Sequence, residues 1–291
     1  MVRTALTGLL GLLAAVLLPL SLLSIWVNGV VSDTDTYVDT VAPLADDEVV
    51  QAAAVDEIER ATVQLIAGSG TAPPGVGILV HAVVTRVVAS PAFRTAWVTA
   101  NRIAHDQVIG VLEGRREVAL DDQGRVTIEL GGVYAAVADA LAAQGLPGAR
   151  RVAALDASIP VMDADGLARA RRGYQLLDAS GFWLPFGWMV AVLLTLLLAR
   201  RRLAASAGLA IGSVLALGVL ALGLWVARGV LTRDLPQRGA ARQVWDVVTA
   251  SLWHQLELAA ALLAVVALVA ALLAAVRGRG TASGAPDSGS F

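Results

Sequence analysis

Cysteine is absent from the chain. That excludes disulfide bonds and thiolate metal sites, and leaves the compartment open. Lysine is absent too: all 22 basic residues are arginine, which reads as the coding bias of a GC-rich genome rather than as chemistry. Charge is missing from the interiors of the long apolar runs, where no Asp, Glu, Arg or His stands away from the ends. Ion- and proton-coupled carriers commonly place such groups near the bilayer midplane and contain paired broken helices. Their absence weighs against coupled transport and leaves a passive pore or an accessory subunit open. No internal repeat and no strong catalytic or cofactor signature is present.

What is present is apolar. Hydrophobic residues make up 57 % of 291, and the mean hydropathy is +0.69, the composition of a polytopic membrane protein. The organising stretch is Phe182–Val226, two apolar runs joined by Arg200, Arg201 and Arg202. Each run is about long enough to cross a ~30 Å hydrocarbon core as a helix. So short a link makes residues 182–226 an antiparallel transmembrane hairpin, helices 2 and 3, with the arginines cytoplasmic. Arg3 precedes another run that ends near Val31. It is much longer than the ~7–15 residues of a signal-peptide core, and no small-x-small cleavage site follows. Residues 1–31 are therefore expected to be an uncleaved first transmembrane helix, kinked at Pro19. Residues 258–276 form transmembrane helix 4, stopped inside by Arg277 and Arg279, and 277–291 form a Gly/Ser-rich, disordered cytoplasmic tail.

This topology puts both termini in the cytoplasm and residues 32–181 and 227–257 outside, at the plasma membrane. The charges agree: the large segment carries twelve arginines against twenty acids, whereas the cytoplasmic segments carry six arginines against Asp287 alone. Trp26, Trp183, Trp188, Trp225, Trp245 and Trp253 all fall near the outer interface, where indole rings prefer to sit. In the outer loop 227–257, Val244, Val248 and Leu252 make an apolar stripe, expected as an amphipathic helix on the interface.

Residues 32–181 read as an extracytoplasmic, mainly helical α+β domain. Ser32–Asp47 is expected to be a linker. Asp46, Asp47 and Glu48 open a helix whose Val55, Ile58, Thr62 and Leu65 share a face. A second, strongly apolar helix covers Ile78–Ala89. Ser90-Pro91 caps a third, which runs to Glu113. Glu117–Leu130 alternates as a β-hairpin about Asp121–Gly124, and Val133, Val137 and Leu141 share a helical face. Ile159–Met162 is an edge strand because it contains Pro160. A last helix, with Leu167, Ala170, Tyr174 and Leu177, leads almost directly into Phe182.

The stretches VSDTDTYVDTVAPLADDEVVQ, WVTANRIAHDQVIGVLEG, VTIELGGV and IPVMDADGLARARRGYQLL, followed by a WLP-containing helix, resemble an uncharacterised family of integral membrane proteins from high-GC Gram-positive (actinobacterial) bacteria. The resemblance implies an envelope location and brings no activity, cofactor or functional residue with it.

One polar constellation stands out. Trp97, Asn101 and His105 recur every four residues on the third helix, with Arg102 and Asp106 beside them. The ladder is expected to point inward, either as a hydrogen-bonding network or as the lining of a ligand pocket. His81 lies on an apolar helix and reads as structural. Asp33, Asp35 and Asp39 begin like a calcium loop but lack its glycine and its closing glutamate, so they read as solvated linker. Arg169, Arg171 and Arg172 pair with acids or meet anionic groups. Ala204, Gly208, Gly212 and Ala216 form a small-residue packing ridge, expected to face Ala260, Ala264, Ala267 and Ala271 of the fourth membrane helix.

No cofactor or metal is expected, and the acidic domain makes nucleic acid an unfavourable partner. The expected partners are the lipid bilayer and another envelope protein or a second copy of the chain. The leading reading is a non-enzymatic multi-pass membrane protein presenting an extracytoplasmic interaction or sensing domain. A transporter or export-system subunit is the alternative, and an envelope enzyme is third.

Overall fold

The computed structural model describes residues 2–116 except 69 and 72, segments 119–120 and 125–129, positions 135, 139 and 142, and residues 158–282 except 234. The expected helical face at Val133, Val137 and Leu141, the turn at Asp121–Gly124 and the tail beyond residue 282 lie outside the described residues. In chain order the helices are α1 Val2–Trp26, α2 Thr34–Val41, α3 Glu48–Ala67, α4 Val76–Val88, α5 Pro91–Leu112, α6 Ala164–Ala179, α7 Trp183–Leu198, α8 Arg202–Leu231 and α9 Arg238–Ala282. The strands are β1 Ala119–Leu120, β2 Arg125–Glu129 and β3 Ser158–Asp163. The described chain is predominantly helical. Three helices are long and apolar enough to cross a membrane, or up to five crossings if each of two broken helix pairs counts as one.

The chain divides into two compact units. One comprises Met1–Trp26, Ala179–Ala227 and Ala250–Phe291; the other comprises Val27–Asp178 and Arg228–Thr249.

The first unit is apolar. Helix α1 runs unbroken through Pro19, although proline removes one backbone donor there. It packs along α7, burying Ala14, Ala15 and Leu18. Helix α7 has 16 residues, a rise of about 24 Å, short of the ~30 Å expected of a full crossing. It stops where Ala199 turns extended, and Arg200 and Arg201 then link it to α8. The face that α8 buries is Ala210, Ser213 and Leu217. Leu18, Leu217, Leu252 and Leu256 form the core, and Trp26, Trp188 and Trp253 pack around it.

The small-residue ridge differs from the expected seam. Gly212 faces α1: a Cβ built there would lie 3.5 Å from the Ala15 Cβ. Ala204 and Gly208 are exposed, and so are Ala264 and Ala271 on α9. The reason lies in the apolar runs themselves. In α9 the buried positions are Thr249, Leu252, Leu256 and Ala270, and the two leucines join Leu217 in the core, with Ala260 packed against it.

The second unit begins with a π-helical turn, Val27–Val31, closed by the Ser32 amide donating to the Val27 carbonyl at 2.8 Å. The segment expected to be a linker is instead core. Asp33 caps α2 by accepting from the Thr36 amide at 2.7 Å, and Val38, Val41, Leu44 and Ala45 are buried. Their spacing puts them on one side of α2 and the 3-10 turn Ala42–Asp46 that follows it. Val41, Leu44 and Val50 form a core that Trp97 and Val244, Val247 and Val248 of α9 cover. Val244 and Val248 of the stripe expected on the interface are therefore inside this unit, while Leu252 belongs to the core of the first. Helix α9 continues without a break past Glu257 to Ala282, so the start of the expected tail is helical. A second cluster joins α3, α4 and α5 through Val55, Val84 and Val88. Ile58, expected on that face, is exposed.

The strands form a small antiparallel sheet, ordered β1-β2-β3. Ala119 pairs with Thr127 and Leu120 with Val126. On the other side of β2, Val126 pairs with Met162 and Thr127 with Pro160, across a register shift between Val126 and Thr127. Pro160 thus sits on an outer strand, where its missing donor breaks no second ladder.

Candidate functional site

The polar constellation belongs to the second unit and is built where α2 meets α5. Pro91 stands at the start of α5, after Ser90 at the N-cap position. The Ser90 hydroxyl does not cap α5. It donates to the Val87 carbonyl at 2.6 Å and so ties off the end of α4. Helix α5 then buries Ala92, Ala96, His105, Ile109 and Gly110, two alanines that admit close neighbours and one imidazole. Val108, one turn on from Ala104, is exposed.

His105 is the centre of the arrangement. It is 8 % exposed. Its Nδ1 lies 3.1 Å from the Thr34 hydroxyl. Tyr37 stacks on the imidazole at 4.0 Å, 17° from parallel. Burial pushes the imidazole below its usual value, with the Val31 carbonyl, Asp106 and Asp33 acting in the other direction. Burial also raises the Tyr37 phenol. The Asp33 carboxyl is lowered, first by the Thr36 amide it accepts from. Beside this cluster, the Tyr174 hydroxyl of α6 donates to Ser32 Oγ at 3.0 Å, and Ser32 donates to Asp178 at 3.3 Å.

The other members of the ladder separate. Trp97 is half-buried and donates from Nε1 to the Val41 carbonyl at 2.9 Å, pinning the end of α2. The Asn101 amide bonds back to its own helix, to the Trp97 carbonyl at 2.9 Å. Arg102 is exposed and pairs with Asp35. None of Trp97, Asn101, Arg102 and His105 lines either of the two principal cavities among the described residues. The sequence pattern singled out one helix and missed its partners, Thr34, Tyr37 and Ser32. The signal that finds them is the cap at Asp33 with the i, i+3 apolar pair Val38 and Val41, which makes the preceding segment a helix.

The remaining candidates are placed as follows. His81 is exposed and 2.8 Å from Glu59. Asp35 and Asp39 are exposed, and Asp33 is a cap. Arg171 donates from Nε to the Val111 carbonyl at 2.6 Å, a cation at the C-terminus of α5 where the helix dipole favours it. Arg172 bonds the Ala168 carbonyl of its own helix. Among the described residues no group of three or more His, Cys, Asp and Glu is placed to hold a metal ion.

Chemically, Thr34 and His105 are within hydrogen-bonding distance, the pairing of a hydroxyl nucleophile with a base. Here the ring is stacked under Tyr37 and bonded to Thr34, so the imidazole joins α2 to α5. Comparison of the chain with protein-family models, with curated proteins and with solved structures gives no match.

Proposed function

We propose that the chain is a four-crossing membrane protein of the cell envelope, related to the actinobacterial family it resembles, with both termini cytoplasmic. The α+β unit between the first and second crossings lies outside and works by binding another envelope protein. The orientation is supported by the ends of the apolar unit. Arg3, Arg200, Arg201 and Arg202 flank its helices at one set of termini. Trp26, Trp188 and Trp253 gather about its core near the opposite termini of α1 and α7.

The observation that carries the binding role is the outer face of α4. Ile78, Leu79 and Val83 are 78, 70 and 63 % exposed. They lie within about one and a half turns of a helix whose other side, Val84 and Val88, is core. A contiguous apolar patch on an acidic domain marks a surface made to be covered. The test is a photo-cross-linking amino acid at Val83 in intact cells. A single discrete cross-linked protein is the expected result. Cross-links to lipid alone would remove the partner from this reading. Solute movement in vesicles reconstituted with the pure chain would replace it with the transport alternative.

Singly introduced cysteines test the topology, since the chain has none of its own. Gly124→Cys and Gln237→Cys should react with a membrane-impermeant thiol reagent in intact cells, and Ser283→Cys should not. The reverse pattern inverts the protein.

A further inference from the structure

The apolar unit contains a cavity of about 790 Å³ between α1, the end of α7 and the first half of α8. That is within the size range of small-molecule sites, ~300–1,000 Å³. Its walls are small: Gly8 and Gly11 on one side, Gly208 and Gly212 on the other. A Cβ added to Gly8 or Gly208 would meet nothing within 4 Å, so these glycines border open space. The lining extends from Arg3 to Val16 along α1 and from Arg201 to Ala216 along α8. At 1.5 Å per residue this is roughly 20 Å. One leaflet of a ~30 Å hydrocarbon core is about 15 Å deep.

The mouth of this groove is cationic. Arg3, Arg200 and Arg201 all line it. Arg3 donates from Nε to the Leu198 carbonyl at 3.0 Å, which holds its guanidinium at the rim. Among the described residues of this unit the only carboxylate is Glu257, and no ion pair reaches any of the three arginines. Arg200 and Arg201 follow the C-terminus of α7, whose dipole favours cations, but they also stand at the N-terminus of α8, whose dipole disfavours them. Three guanidinium groups without a carboxylate partner among the described residues, above an apolar slot, call for a ligand with an anionic head and an apolar tail.

We infer that the groove binds an anionic phospholipid, with one acyl chain along the glycines and the phosphate at Arg3, Arg200 and Arg201. The inference rests on the proposed orientation, which sets these arginines at the cytoplasmic headgroup level. Basic pockets between membrane helices on that side hold anionic headgroups. A second copy packing through the same face would bring its own arginines against these, so like charge opposes it.

The test uses the full-length protein, purified and delipidated in detergent, with native mass spectrometry and thermal melting. The probes are phosphatidylglycerol, phosphatidylcholine with the same acyl chains, and inorganic phosphate. Phosphatidylglycerol should be retained and raise the melting temperature. Phosphatidylcholine should be retained at least about tenfold more weakly, and phosphate should not raise the melting temperature. The double variant R200Q/R201Q should lose the preference for phosphatidylglycerol. Gly208→Leu fills the slot and should lose both lipids while keeping the lipid-free melting temperature. Equal retention of the two lipids, or full retention by R200Q/R201Q, overturns the inference. So does stabilisation by phosphate alone, which would make this a free-anion site. A concentration-dependent dimer cross-linked through Gly208→Cys would give the groove to a second copy. The Ser283→Cys labelling separates the two readings: reactivity from outside refutes the orientation whatever the lipid result, whereas correct orientation without lipid retention refutes the site alone.

Discussion

Gly208 and Gly212 lie one turn apart on α8, yet leucine at each should act differently on stability. At Gly208 a Cβ meets open space, and at Gly212 it stops 3.5 Å from the Ala15 Cβ of α1. The first methyl is therefore accommodated at Gly212, but the three carbons beyond it press on Ala15 in every rotamer that does not turn into the groove. Overpacking of this kind costs about 1–3 kcal/mol. Both substitutions share the same gain from replacing a mid-helix glycine, on the order of 0.8 kcal/mol. The difference between the two variants is thus the overpacking cost alone. Thermal unfolding of the full-length protein in lipid-free detergent should find Gly208→Leu unchanged or slightly more stable and Gly212→Leu lower by that amount. A paired-cysteine experiment assigns the neighbour: Ala15→Cys with Gly212→Cys should form an oxidative cross-link, and Ala264→Cys with Gly212→Cys should not. Equal melting of the two leucine variants, or cross-linking only through position 264, would refute the packing of α1 on α8.

His105→Ala should destabilise the protein by about 1–3 kcal/mol, because the Thr34 hydroxyl loses a buried partner and Tyr37 loses the ring it stacks on, whereas Asn101→Ala should stay within ~0.5 kcal/mol because its amide bonds only its own helix; equal losses in denaturant titrations would contradict this assignment. Since burial holds the His105 imidazole below its unfolded value of 6.5, the unfolded chain binds more protons as pH falls below that value. Stability should therefore drop on acidification from pH 7.5 toward 5.5, and His105→Gln should flatten that part of the slope in melting curves. Asp47→Ala removes the acceptor of the Val49 and Val50 amides, at 2.9 and 3.1 Å, and should cost about 1 kcal/mol in the same assay.

Local signals in the sequence were strong where a single residue does a single job. Asp47 before Glu48, Pro91 at the first turn of α5 and the alternation of Val126 and Ile128 each mark an element that is present. Two kinds of feature were hidden. The segment from Ser32 to Asp47 looked solvated because its aspartates and threonines outnumber its apolar residues, yet Val38, Val41 and Leu44 suffice to fill a core when α5 and α9 supply the other walls. That depends on residues up to two hundred positions away, which no local pattern encodes. Likewise Val244 and Val248 make the same stripe whether they meet lipid or protein, and only the tertiary fold decides. In the candidate site, the four-residue spacing singled out His105, which is buried, but spacing on one helix says nothing of what stacks against it. Tyr37 and Thr34 come from the segment that had been read as a linker.

The contact between Arg3 and Leu198 spans 195 residues. At a synthesis rate of about 5–20 residues per second, α1 is made roughly 10–40 s before α7, the helix it packs against. On the proposed topology, α1 is held by lipid alone during that interval. The absence of any acid from its length, and a stretch of mean hydropathy 2.4 within Val2–Val31, suit it to do so. Substitutions that place a charge on the face α1 later buries should therefore show first as failed insertion of the nascent chain, before any loss of stability in the finished protein. Translation speed through residues 27–182 sets how long that face stays uncovered.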